Sequence, residues 1–451
     1  MLKLTLSELM ASLSHALDMT EGQPAGHCLR SCWIGSQIGQ ALGLDAQQQY
    51  DLYYTLLLKD LGCSSNAARI CALYLTDDRE FKREYKWVDG SLPKVLRFIL
   101  RKTGSNAGLI ERLQALSNIF SHGTEIARDL IHTRCTRGAD IARQLRFSEA
   151  VATGIHALDE HWNGNGYPQG LQGRDIPLFS RIALMAQVID VFNQSEGADA
   201  ARREVRDRSG TWFDPELVTV FLSLARDPQF WETVNSPDIE TIVLDLEPAR
   251  TERVLDEDYL DDIAEAFGQI VDAKSPYTAG HSARVGLYTA MLSEKMEIAP
   301  ERRRWLKRGA LLHDIGKLGV SNAILDKPGK LDADEWVIMR SHAALTGSIL
   351  GKISAFGELA AVSSAHHERL DGQGYPLGLS AADITLETRI ITTADIFDAI
   401  TAERPYRAAV PLDKTLQIMA ENVGTAIDPA CFQHLKNLIA SNPVFFHAPG
   451  A

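Results

Sequence analysis

No stretch of this 451-residue chain approaches the roughly 18 consecutive apolar residues that a membrane-spanning helix needs. Polar residues break the N-terminal MLKLTLSELMASLSHAL, so it reads as an amphipathic helix rather than a secretory leader, and a cytoplasmic protein is expected. Cysteine is scarce. Cys28, Cys32, Cys63, Cys71, Cys135 and Cys431 are the full set, and no two stand in a CxxC pair. That excludes a zinc ribbon and a disulfide framework. Positive charge is also short: the formal net charge is −13, which excludes broad binding of a nucleic-acid polymer. An anionic ligand would have to be met by cations concentrated at one place. Sustained period-two alternation, the mark of half-buried strands, is missing too.

What remains is helical. An apolar fraction of 45% and a charged fraction of 23% are ordinary for globular proteins, and the length suits two domains. FGQIVDAK, VGLYTAMLSEKM, DEWVIMRSHAALTGSIL and RIITTADIFDAI repeat their apolar residues at helical spacing. Pro300 suits a first helical position, and Asp332 with Glu335 forms a capping-box pattern. The fold class is all-α.

The chain also repeats itself. PAGHCLRSCWIG around His27 echoes TAGHSARVGLYT around His281, and His27 precedes Lys59 by the same 32 positions that separate His281 from His313. HWNGNGYPQGL matches ERLDGQGYPLGL, RIALMAQVIDVF matches RIITTADIFDAI, and GTWFDP matches GTAIDP. The copies keep different residues. Lys59-Asp60 stands where the second copy has His313-Asp314, Leu158-Asp159 where it has His366-His367, Arg134 where it has His342, and Gln187 where it has Asp395. The first copy also carries an extra helical, charged segment at about 64–125. SPDIETIVLDLEPARTERVLDEDY is acidic and reads as a linker. These features divide the chain into a degenerate domain without metal ligands, 1–244, and a second domain, 245–451.

His281, His313, Asp314, His342, His366, His367 and Asp395 gather five of the chain's 13 histidines with two aspartates. Singly, each has a bland role as a cap or a polar face residue. Jointly those roles fail, because both copies have the helices and only the second has the set. Imidazole and carboxylate are ligands for first-row transition metals such as iron, manganese or zinc. Seven exceed the needs of one ion, so two ions are expected, with Asp314 as the bridge. Lys317, four residues after His313, brings its ammonium over the same patch.

Residues from about 257 to 440 resemble an HD-GYP domain, the phosphodiesterase branch of the HD superfamily. HSARV, LLHDIGK, LDKPGKL, AHHERLDGQGYP, ADIFDAITAERPYR and GTAIDP match in order. The first half resembles a degenerate member, and such tandems occur among cyclic-dinucleotide phosphodiesterases. The resemblance implies hydrolysis of cyclic di-GMP to linear pGpG and GMP at an iron or manganese centre held by the seven residues above. It gives Asp314 and Lys317 to catalysis, and Lys317, Tyr375, Arg404 and Arg407 to substrate contacts. The alternatives are a 3′,3′-cyclic GMP-AMP phosphodiesterase and a non-enzymatic cyclic-dinucleotide receptor or scaffold. A homodimer or a signalling partner reached through the first domain is a further expectation. Some family members have a third-metal glutamate four positions before the first histidine. Tyr277 stands there, one helical turn before His281, so two ions are expected. Thr346 replaces the usual glycine four after the third histidine.

Overall fold

The computed structural model describes residues 4–88, 91–105, 107–248, 255–403 and 407–442. Among these there are helices and three isolated bridges but no β-strand, so the fold is all-α. The chain divides into two compact units, Thr5–Asp256 and a second built on Glu257–Ala451.

In the second unit, helix His281–Lys295 runs through the middle. It packs on Pro300–Leu312, Leu386–Thr401 and Pro429–Ser441. Val285, Leu292, Leu306, Ile390, Phe397 and Leu435 interlock in the core they share, each full burial contributing about 1.5–3 kcal/mol. Because the apolar stripes are committed to this core, the polar ends of the same helices converge on one cleft. Capping follows the sequence: Pro300 opens its helix, and Asp332 and Glu335 exchange side-chain and backbone bonds at the start of Ala333–Leu350.

The first unit is organised around helix His27–Ala41, against which Ala46–Leu58 and Leu178–Glu196 pack. The extra segment forms helices Ala67–Tyr74, Asp78–Tyr85 and Leu92–Lys102 and the start of a 36-residue helix, Leu109–Gln144. It has an apolar cluster of its own, built from Ile70, Tyr74, Phe81, Phe98, Ile119 and Leu130. The acidic stretch expected as a linker departs from that reading at its start. Ile239–Asp245 is a helix with Val243 buried, and Tyr53 Oη donates to Val243 O at 3.1 Å. Ser7 Oγ then donates to Glu247 Oε2 at 2.7 Å. The boundary expected near 245 therefore falls inside the first unit's packing, and the compact unit continues to Asp256.

The two units share a set of local devices. Gly26 (φ 84°) and Gly280 (φ 70°) take the left-handed conformation that turns the chain into a helix beginning at His27 or His281. Asp190 binds His27 Nδ1 (2.7 Å) and Arg30 Nε (2.6 Å); Asp398 binds His281 Nδ1 and Arg284 Nε, both at 2.6 Å. Glu160 receives the backbone N–H groups of Gln169, Gly170 and Leu171, and Glu368 those of Leu377, Gly378 and Leu379, which fixes the Gly-Tyr-Pro loop in each.

Candidate metal centre

Helix Pro300–Leu312 ends at the point where the chemistry begins. His313 closes it, and the chain tightens into a 3₁₀ turn, Ile315–Gly319. A Cβ at Gly316 would fall on His342 O, so the bare backbone brings the turn against helix Ala333–Leu350. Thr346 secures that contact by accepting from Gly316 N (3.0 Å) and donating to His313 O (2.9 Å). The threonine in the usual glycine's place thus has a structural role.

Around this turn the structure brings all seven predicted ligands together. Asp314 sits between two sets of imidazoles. Its Oδ2 lies 3.4 Å from His281 Nε2 and 3.3 Å from His313 Nε2. Its Oδ1 lies 3.5 Å from His342 Nε2 and 3.7 Å from His366 Nε2. Asp395 Oδ1 is 3.3 Å from His281 Nε2 and 3.8 Å from His313 Nε2. Three overlapping groups result: His281, His313 and Asp395; His313, Asp314 and His366; and His342, His366 and His367.

The donor set fits divalent transition ions. His313, His342 and His366 each donate Nδ1–H to a backbone carbonyl, of Ala310 (2.6 Å), Met339 (2.5 Å) and Ser363 (2.6 Å) respectively. His281 donates to Asp398. These bonds fix the tautomer and leave Nε2 lone pairs facing inward. The Nε2 atoms of all four, with Asp314 Oδ1, are buried and have no hydrogen-bond partner. Buried polar atoms left open in this way are costly unless a cation joins them.

The protonation states follow from the same geometry. Burial pushes His367 down to about 3 and His366 well below its ordinary value, and it lowers His342 too, so these rings are neutral and ready to ligate. Burial also opposes charge on His313, but Asp314 and Asp395 outweigh it and raise its pKa to about 9, so without an ion its Nε2 carries a proton that ligation would displace. Against the same burial, His313, Lys317 and His281 hold the Asp314 carboxyl well below the carboxylate range.

Lys317 Nζ lies 2.5 Å from Asp314 Oδ2, at the edge of the cluster. The Tyr375 ring stands 4.8 Å from that of His367, and burial pushes its phenol pKa upward, which keeps the hydroxyl a donor. Arg407 behaves differently: it donates to the carbonyls of Ala399 and Ile400, the latter at 2.8 Å, at the end of helix Leu386–Thr401. Arg404 lies outside the described residues. Tyr277 does not share a helix with His281. It occupies the separate 3₁₀ turn Pro276–Thr278, and left-handed Gly280 intervenes, so the one-turn spacing argument does not hold.

Sequence reasoning missed Asp398, which orients His281, Arg284, which holds Asp398, and Arg340, whose guanidinium lies 5.3 Å from the Tyr375 ring centroid. A signal for the first two was present. Both halves keep Arg three residues after the histidine and Asp three residues after the Asp395 or Gln187 position.

The HD domain family profile matches residues 106–217 and 265–431. A Vibrio cholerae protein named 3′3′-cGAMP-specific phosphodiesterase 3 is 58% identical over 96% of this chain and 94% of its own length. This chain belongs to the HD-GYP family of cyclic-dinucleotide phosphodiesterases. A crystal structure described as a cyclic GMP-AMP specific phosphodiesterase of V. cholerae matches 98% of both chains, with 52% identity and a TM-score of 0.66. A cyclic di-GMP phosphodiesterase response regulator of Xanthomonas campestris is 36% identical over 38% of this chain and 45% of its own.

The expectation of cyclic di-GMP as the substrate is corrected by these findings, because the relative matched over nearly the whole chain is named for 3′3′-cGAMP. The physical reason is plain. The motifs that carried the expectation are those of the family as a whole, which has members named for either cyclic dinucleotide, so they do not distinguish the bases. The expected absence of a membrane span has its counterpart here: no described helix is long and apolar enough to cross a membrane.

A fourth potential ligand group, Glu21, Asp60 and Cys63, lies in the first unit. Ammonium groups already neutralise it: Lys59 on Asp60, Lys86 at 3.1 Å and Lys82 at 3.7 Å from Glu21.

Proposed function

We propose that the second half hydrolyses 3′3′-cGAMP at a centre of two divalent ions, iron or manganese, and that the first half is a degenerate copy without turnover. The observation that carries the two-ion reading is Asp314, whose two oxygens face different pairs of unpartnered imidazole nitrogens. The substrate reading is supported by the V. cholerae relative that matches almost end to end.

His281, His313, Asp314 and Asp395 would hold one ion, and Asp314, His342, His366 and His367 the other. Bound there, the ions supply Lewis acidity toward the phosphoryl oxygens and lower the pKa of the water that attacks phosphorus. Lys317 is placed to donate to a phosphate oxygen, or to the 3′-oxygen as its bond to phosphorus breaks. The Tyr375 hydroxyl, held protonated by burial, donates a second hydrogen bond to the phosphate. Asp398 keeps His281 in its ligating orientation. The net negative charge of the chain is no obstacle, because positive charge is concentrated where the dinucleotide's phosphates lie.

The test is turnover of 3′3′-cGAMP and of cyclic di-GMP by the full chain, with metal content measured on the same anaerobic preparation. Preference for 3′3′-cGAMP of tenfold or more in kcat/KM and about two ions per chain are expected. Equal or faster hydrolysis of cyclic di-GMP would overturn the substrate, and a count near one or three would overturn the ligand assignment.

A further inference from the structure

A cavity of about 590 Å³ lies in the first unit, between the extra helices and the remains of the catalytic cleft. Its size is that of a pocket for a small organic molecule. Its floor includes Arg134, Asp159, Gln187 and Tyr167, the counterparts of His342, His367, Asp395 and Tyr375. Above the floor the walls are apolar and aromatic, with Tyr74, Phe81, Val95, Leu184 and Val191 among them. Leu92, Leu96 and Phe120 also line the cavity while being 77%, 41% and 51% exposed, so they form a mouth on the extra segment. This unit has therefore turned a polar cleft into a deep apolar pocket with a charged end.

The charged end has an excess of cation. Arg134 is paired with Asp159 and Lys59 with Asp60. Although Asp60 also feels Lys86, among the described residues Glu21 is the one remaining carboxylate against Lys82 and Lys86, which leaves one cation in surplus. Lys82 is also satisfied by the carbonyls of Thr20 (3.2 Å) and Cys63 (2.9 Å). Lys86 Nζ is shielded from water and has no hydrogen bond of good geometry beyond its ion pair, although an ammonium carries three donors. Asn66 also lines the cavity and is only 5% exposed; its amide donates to Leu130 O at 2.6 Å, and its Oδ1 has no partner. A buried donor and a buried acceptor are thus left open at the bottom of an apolar pocket.

We propose that this cavity binds a monoanionic amphipathic molecule, an acyl or aryl carboxylate, with its carboxylate at Lys86 and its apolar body directed to the Leu92–Leu96–Phe120 mouth. A cyclic dinucleotide is a poor fit, since its two phosphates would meet one surplus cation and its sugars would meet apolar walls. The site is separate from the proposed centre at Asp314 and does not depend on the identity of the substrate hydrolysed there.

The test uses the full chain and calorimetric titration with laurate, dodecan-1-ol, dodecylammonium and 3′3′-cGAMP. Laurate should saturate at one per chain and bind at least tenfold tighter than the alcohol or the ammonium. Lys86→Met should weaken laurate tenfold or more and leave dodecan-1-ol unchanged. Ala127→Trp, which fills the cavity, should abolish binding, and Leu96→Asp at the exposed mouth should weaken it in a chain whose packing is untouched. No saturable laurate binding would overturn the proposal. So would equal binding of laurate and alcohol in the Lys86→Met chain and the parent, laurate binding that survives both Ala127→Trp and Leu96→Asp, or displacement of laurate from this cavity by 3′3′-cGAMP.

Discussion

Where His313-Asp314 closes its helix in the second unit, the first unit has Lys59-Asp60, and the two pairs solve one electrostatic problem differently. Each buries an aspartate at the same turn: Asp314 is 1% exposed and so is Asp60. In the second unit the carboxylate is surrounded by four imidazole nitrogens, none of them in a hydrogen bond of good geometry, the arrangement proposed above to hold two ions. In the first the cation is built into the chain. Lys59 Nζ bonds Asp60, and Arg134, in the place of His342, bonds Asp159, in the place of His367. His27 survives with its Asp190 and Arg30 partners, but burial and the nearby Lys59 ammonium keep its imidazole neutral and its Nε2 unpartnered. On the proposed reading, the first unit keeps the helices that surround a metal centre and supplies the positive charge from its own side chains.

The comparison breaks first at the bridge. Asp314→Asn removes the carboxylate shared by both imidazole sets, and turnover of 3′3′-cGAMP should fall by about a thousandfold or more, since loss of even one transition-state donor costs about 10²–10³. Bound metal should fall with it. Asp60→Asn should leave kcat/KM within about twofold. A first-unit variant that lost turnover as fully as Asp314→Asn would show that the lysine-paired site takes part in the chemistry.

A smaller effect belongs to the orienting aspartates. Asp398→Asn should weaken metal binding or activity by about 10–100-fold, because it frees the ring that presents His281 Nε2. Asp190→Asn makes the same change where no ligand depends on it. There it leaves Arg30 without its buried partner and should appear as instability of about 3–5 kcal/mol in a denaturant melt, with bound metal unchanged. Metal loss from Asp190→Asn would mean that the two aspartates do not differ as described.

Acid separates the units as well. Despite burial, Lys86 and Lys82 hold Glu21 at about 2, against 4.5 for an unperturbed carboxyl. A depressed folded pKa gives stability that is complete above the unfolded value and lost as pH falls through the folded one. This contribution is full above about pH 4.5 and disappears toward pH 2, with a ceiling of roughly 3 kcal/mol. Glu21→Gln should thus destabilise the chain at neutral pH, and its gap from the parent should close between those limits. A gap that stayed constant from pH 5 to pH 3 would rule out the ion pair as its source.

Much of this was legible in the residues. Helical periodicity and the capping pair Asp332–Glu335 appear where the spacing put them, and seven scattered histidines and aspartates converge in one cluster. Arg407 and Tyr277 were not, because local pattern does not reveal which way a chain turns after a helix ends. Gly280 interrupts the turn that would have aligned Tyr277 with His281, and the end of helix Leu386–Thr401 supplies the carbonyls that take up Arg407. The helix Ile239–Asp245 was hidden by acidic composition, since its stability comes from Tyr53 and the packing of Val243, which belong to tertiary structure. The substrate was out of reach for a different reason: metal ligands record the reaction and not the base.

The smallest effect tests the comparison most closely. If Lys59 serves only to neutralise Asp60, removing both charges together should be tolerated. Lys59→Met alone leaves a buried carboxylate with no ammonium and should cost about 3–5 kcal/mol. In the double variant Lys59→Met/Asp60→Asn the amide oxygen can still accept from one of the two thiols, Cys28 Sγ (3.6 Å from Oδ2) or Cys63 Sγ (3.5 Å from Oδ1), and the amide NH2 turns toward the other sulfur. The methionine keeps most of the lysine's buried stem. Stability should then return to within about 1 kcal/mol of the parent, with metal content and turnover unchanged throughout. A double variant as unstable as Lys59→Met would mean that the pair does more than balance charge, and the first unit could no longer be read as a metal site whose cations have been replaced by its own side chains.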